Sequence, residues 1–167
     1  MIVGVPSLES FPTHLEELFV AVPKDYVRWA PETWDGIPSE SFTAIEQICH
    51  IRDIEIDGYQ VRFRRMLEEE SPQLISLDGY VLAEQGRYSE ADPDEVFAAI
   101  RSARAETVEV IRSLSSAQLR RNGLFEGYGQ VTVQGLIHYL CSHDQQHLAG
   151  MQWLLGQIAS RGVMPNG

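Results

Sequence analysis

Residues 132–157, TVQGLIHYLCSHDQQHLAGMQWLLGQ, decide the fold. Thr132 is a good N-cap, no proline interrupts the run, and apolar side chains cover most of the circumference of the helix it predicts. A helix that is apolar nearly all round belongs in the middle of a helical assembly. Two of its polar residues, His143 and His147, stand four positions apart. That spacing puts them about 40° apart on a helical wheel and one turn apart in height, so their imidazoles can converge on one ion.

Three helical patterns precede this one. The first starts near Pro12 and runs through THLEELFVAV, residues 13–22, to a stop at Pro23. The second follows a capping-box pair, Thr43 and Glu46, and continues to about residue 70. Ile45, Ile48, His50, Ile51, Ile54, Val61 and Leu67 form its inner face, Arg52, Arg62 and Glu69 its outer one, and Ser71-Pro72 ends it. The third starts with Asp92 as N-cap and Pro93 in the first turn and runs to about residue 114, with Val96, Phe97, Ile100, Val108 and Ile111 inward. Residues 71–93, with a short helix near 77–85, are too many for a tight helical hairpin and can travel the length of a bundle. RRNGLFEGYGQ, residues 120–130, is expected to be a loop, and no segment shows convincing strand alternation. The expected fold is all-α, a four-helix bundle in a single domain over residues 1–167, either antiparallel or with a crossover.

Composition narrows the function. The chain has 167 residues, 44% of them hydrophobic, with 24 acidic and 13 basic side chains and a net charge of -11. Lys24 is its one lysine, and binding by counterion release needs clustered cations, so a nucleic-acid partner is not expected. No apolar run approaches the roughly 20 residues of a membrane helix, and the N-terminus lacks the basic start of an export signal. The expected location is therefore cytoplasmic, with no membrane partner, and Cys49 and Cys141 are expected to be reduced packing residues.

Two buried imidazoles without partners would each cost a few kcal/mol, which a shared cation removes. HDQQH, residues 143–147, resembles the HExxH helix of zinc proteases, but Asp144 is one methylene shorter than the glutamate such an enzyme needs as general base. No Asp, Glu or His follows His147 to supply a downstream ligand. A third ligand must come from upstream. His14 lies among surface residues, and His138 points about 140° away from the pair. His50 sits at mid-depth in the second helix, so the three imidazoles meet inside the bundle if the second and fourth helices are neighbours. The Glu-x-x-His pairs of di-iron bundles are missing, because Gln47, Leu140 and Asp144 precede the histidines by three. Glu46 and Asp53 could orient His50 or serve as a cap and an arginine partner.

These stretches resemble a known family. SFTAIEQICHIRDIE, residues 41–55, is similar to the second helix of the DinB-like superfamily, and residues 120–154 are similar to its loop and fourth helix with paired histidines. MLEEESPQL, residues 66–74, and RSARAETVEVIRSL, residues 101–114, follow the same order, so the resemblance spans about residues 10–158. It implies an up-down-down-up bundle whose 71–93 connection is the crossover between helices two and three. It also implies a mononuclear divalent metal on His50, His143 and His147, and frequent homodimers. Some members resemble S-transferases that use bacillithiol or mycothiol, one type is a thiol-dependent maleylpyruvate isomerase, and many have no known reaction.

Three neutral nitrogens leave a divalent ion its full charge and an open position, the pattern of a catalytic site. The leading expectation is a metal-dependent enzyme acting on a small electrophile, by thiol S-transfer or hydrolysis. Zn or Ni is the expected metal, with Fe as a further candidate, and a low-molecular-weight thiol is a candidate second cofactor. Asp144 and Glu46 are the candidate catalytic residues, with Tyr59 as a further proton group. The alternatives are a metal-binding stress or interaction protein without turnover and a metal-free helical bundle.

Overall fold

A computed structural model describes residues 2–164. Its helices are α1 (Val5–Ala21), α2 (Ala44–Asp53), α3 (Val61–Glu68), α4 (Gly79–Gln85), α5 (Pro93–Ser113), α6 (Ser116–Leu119) and α7 (Val133–Ala159). A π-helical segment, Ile54–Gln60, fuses α2 to α3 into one long rod. The bundle consists of α1, this rod, α5 and α7, in up-down-down-up order. Around it α1 packs on α5 and α7, and α2 packs on the same two helices. The crossover between the second and third bundle helices carries α4. No helix of the described residues is long and apolar enough to cross a membrane.

Local chemistry explains most of the helix bounds. Asp92 accepts hydrogen bonds from the Asp94 and Glu95 amides with Pro93 in the first turn, and Thr132 accepts from the Gly135 amide. Thr43 and Glu46 form the expected capping box. The first helix differs: it begins at Val5, and Pro12 lies inside it. A proline there has no N–H for the carbonyl four residues earlier. That carbonyl, on Leu8, accepts instead from Arg104 Nη1 at 3.1 Å.

The π-helical segment corrects the face assignment of the second rod. A wider turn delays every later side chain, so the phase slips after Asp53. Val61 and Leu67, expected inward, are half-buried, while Arg62, expected outward, is buried. Arg62 donates through Nε and Nη2 to the Ile75 carbonyl and lies over the rings of Tyr59 and Phe125. Glu55, one turn after inward Ile51, is buried against Arg104.

A small sheet is the second correction. Residues expected to form a loop fold as a hairpin of β2 (Asn122–Phe125) and β3 (Gly129–Thr132), and β1 (Gln73–Leu74) pairs in parallel with β2. Gln73 lies opposite Leu124, and Phe125 opposite Gly129. Strands of two and four residues are too short to show a two-residue period.

The core divides in two along the bundle. One cluster joins Phe11, Leu15, Ile45, Ile48, Ile51, Phe97, Ile100, Met151 and Leu154; the other joins Val5, Leu8, Phe63, Met66, Val108, Ile111, Leu136, Ile137 and Leu140. Between these sets, on the rod, α5 and α7, lie the buried polar residues His50, Glu55, Arg104, Asp144 and His147. This layer contains the site. Both cysteines are free, Cys49 buried and Cys141 half-buried.

Candidate metal centre

The packing of α2 against α7 brings His50, His143 and His147 together. His143 Nε2 lies 3.3 Å from His50 Nε2 and 3.2 Å from His147 Nε2. An ion with bonds of about 2.05 Å to tetrahedrally arranged nitrogens separates them by about 3.3 Å, so the spacing fits one ion. All three rings offer an atom to one small volume, and among the described residues they are the group so arranged. His14 and His138 are exposed.

The tautomers suit ligation. The Gln47 side-chain amide donates through Nε2 to Ser39 Oγ at 2.8 Å and lies 3.3 Å from the Phe42 carbonyl and 3.4 Å from that of Glu40. Carbonyls only accept, so the Nε2 end of the amide faces them and Oε1 faces the histidine. His147 Nδ1 therefore donates to Gln47 Oε1, which leaves a lone pair on its Nε2. His50 Nδ1 has no protein partner, and the contacts of this ring with other ligand residues are made by Nε2.

Burial lowers the pKa of all three imidazoles. His143 is brought down to about 3, first by desolvation and then by His50 and the cations Arg104 and Arg62. His147 falls well below its ordinary value through desolvation and the two other rings, and His50 falls through desolvation against the opposing pull of Glu40. All three are neutral at pH 7, the form that binds a metal. With its proton on Nδ1, His147 Nε2 can only accept, and one cation could serve all three nitrogens at once.

The walls are aromatic. Phe42 packs on His50 with ring centroids 5.2 Å apart, and Tyr59 lies 6.1 Å from His143. Trp153 stacks on Trp34 and Tyr139 packs on Tyr128, so each has its own aromatic partner. His50 and His147 are buried, His143 is half-buried and Glu40 is partly exposed.

The candidate carboxylates are engaged elsewhere. Glu46 Oε2 accepts from the Thr43 amide and hydroxyl, both at 2.8 Å. Asp53 accepts from Arg52 and from the Tyr88 hydroxyl, each at 2.6 Å. Asp144 is held by Arg104 through Nη1 at 2.7 Å and Nη2 at 3.0 Å, and Glu55 shares the same guanidinium. Burial pushes the Asp144 carboxyl up to about 7 against the pull of Arg104. The acid that does face the cluster is Glu40, with Oε2 3.3 Å from His147 Nε2 and Oε1 3.6 Å from His50 Nε2. Sequence reasoning missed Glu40 and Gln47. Gln47 occupies the same helix turn as His50, but Glu40 lies in a loop without a period to reveal its direction.

The model of the DinB superfamily matches residues 7–151. Among solved structures, YfiT from Bacillus subtilis superposes with a TM-score of 0.81 at 20% identity, covering 93% of this chain and 86% of its own. YfiT is described as a probable metal-dependent hydrolase with an unusual four-helix bundle topology. At that identity the likeness shows a shared fold. No curated protein sequence matches the chain.

Proposed function

Since this chain belongs to the DinB superfamily, we propose that it is a metal-dependent enzyme holding one divalent ion on His50, His143 and His147, and that it acts on a small electrophile by hydrolysis or thiol transfer. The observation that carries the reading is the convergence of three Nε2 atoms in a buried layer, with separations of 3.2 and 3.3 Å. The description of YfiT as a probable metal-dependent hydrolase supports the hydrolytic branch. When bound, the ion would supply a Lewis acid that lowers the pKa of water or a thiol reaching it.

The chain's own residues bind, orient and exclude water. Gln47 fixes the His147 tautomer, and Phe42 and Tyr59 wall the cluster. Glu46 sets the start of α2, one turn before His50, and Asp144 anchors α7 beside His143, so both enter the proposal as positioning residues. The donor set suits Zn or Ni, with Fe as a further candidate.

The test is metal analysis of untagged protein after incubation with Zn or Ni, followed by a screen of water and low-molecular-weight thiols against electrophiles. About one equivalent of metal, lost in His143→Ala, is expected, together with turnover that disappears in the same variant. Wild type that retains no more metal than His143→Ala refutes the metal centre. Metal binding without turnover across the screen replaces the enzyme by a binding protein.

A further inference from the structure

The position of the Glu40 carboxylate carries an inference that rests on the metal reading and extends it. Its Oε2 is 3.3 Å from His147 Nε2, yet that nitrogen presents a lone pair, because His147 Nδ1 is the donor to Gln47. A carboxylate oxygen and an imidazole lone pair repel each other at this distance unless a cation lies between them. The second oxygen, Oε1, is 3.6 Å from His50 Nε2, and these two histidines are the ion-pair contacts of Glu40 among the described residues. The nitrogen–nitrogen separations of 3.2 and 3.3 Å match the edges of a tetrahedron around one ion, and each oxygen of the Glu40 carboxylate lies at a similar distance, 3.3 or 3.6 Å, from one of the histidine nitrogens.

The loop that carries Glu40 is held in place by the same residues that build the histidine cluster. Gln47 grips Ser39 and the Glu40 and Phe42 carbonyls with its amide nitrogen while its oxygen holds His147. Gly150, one turn beyond His147 on α7, lets the loop approach: a Cβ there would collide with Ser39 Oγ and stand 3.2 Å from Gln47 Nε2. We propose that Glu40 is a fourth protein ligand of the metal. It would complete a three-nitrogen, one-oxygen set from a partly exposed loop.

Titrating the metal-free full-length protein with Co2+ and Zn2+ tests this without measuring activity. Wild type is compared with Glu40→Gln, Glu40→Ala and His143→Ala. Glu32→Gln, at a residue whose side chain is 87% exposed, is the charge control upstream of Glu40. Loss of a ligand should weaken both metals by at least about 10-fold and change the visible Co2+ spectrum in both Glu40 variants, with Glu32→Gln unchanged. Glu40 variants that bind within about 2-fold of wild type with the wild-type spectrum, while His143→Ala abolishes binding, overturn the fourth ligand and leave the three-histidine site intact. No Co2+ binding by wild type overturns both.

Discussion

Replacing Arg104 by methionine should destabilise the protein by about 3–5 kcal/mol, the range for removing one partner from a buried charge cluster. The guanidinium commits every one of its N–H groups inside the bundle. Nε and Nη2 reach Glu55 at 3.1 and 2.8 Å, Nη2 and Nη1 reach Asp144 at 3.0 and 2.7 Å, and Nη1 also reaches the Leu8 carbonyl at 3.1 Å. Methionine fills similar space but leaves two buried carboxylates and the carbonyl that Pro12 cannot serve. Asp144 already sits near pH 7, so protonating it at neutral pH costs little, and most of the loss falls on Glu55. Urea unfolding at pH 7 measures the difference, which is a large share of the roughly 5–15 kcal/mol that stabilises a domain. Lowering the pH towards 5 should shrink the penalty, because a carboxyl that takes a proton no longer needs the cation. The triple variant Arg104→Met, Glu55→Leu, Asp144→Leu should recover most of the loss, as apolar replacement of buried ion clusters does. A loss below about 1 kcal/mol in the single variant, or no recovery in the triple, would refute the account.

Gln47→Leu should leave the His147 Nδ1–H without an acceptor, costing about 1–3 kcal/mol in the metal-free protein and about 10–100-fold in metal affinity; competition with a chelator reads the second effect, and unchanged affinity would remove Gln47 from the site. The metal-free protein should lose stability as pH falls from about 6.5 towards 3. The unfolded chain takes up protons there that the buried histidines refuse, at about 1.4 kcal/mol per pH unit for each. His143 is held down to about 3, and Asp144, raised to about 7, offsets one of the three histidines, so acid unfolding that is flat between pH 6.5 and 4 would contradict the buried neutral cluster. Cys49, whose thiol burial pushes up to about 11, should react with a thiol reagent at pH 8 only on unfolding, whereas half-buried Cys141 reacts first; mass mapping of the modified site decides.

Helix ends set by neighbouring residues were legible in the sequence, and those set by distant partners were not. Asp92 with Pro93 and Thr132 with Gly135 act within one turn, so α5 and α7 start where the caps place them. Pro12 looked like the first turn of α1 because nothing nearby shows that Arg104, far along the chain, takes the Leu8 carbonyl. Glu55 and Arg62 carry the charges of surface residues. The burial of Arg62 follows from a widened turn over Ile54–Gln60 that no residue in it announces and from its partner at the end of β1, and that of Glu55 from its partner on α5.

The histidines were legible for a related reason: His50, His143 and His147 lie on helices, where height and face follow from position. What sets the spacing between those helices is the charge cluster beside them. Glu55 is five residues beyond His50 on the same rod, and Asp144 adjoins His143 on α7, so one guanidinium ties together the two elements that carry the ligands. The Nε2 separations of 3.2 and 3.3 Å depend on that tie, since a shift of even one ångström between rod and α7 takes the nitrogens out of reach of a common ion. Arg104 therefore has two separable effects. The apolar triple variant restores the stability of the layer but not the directional hold on α7, and it should fold yet bind metal more weakly than wild type. Wild-type metal affinity in that variant would mean that packing alone aligns the histidines.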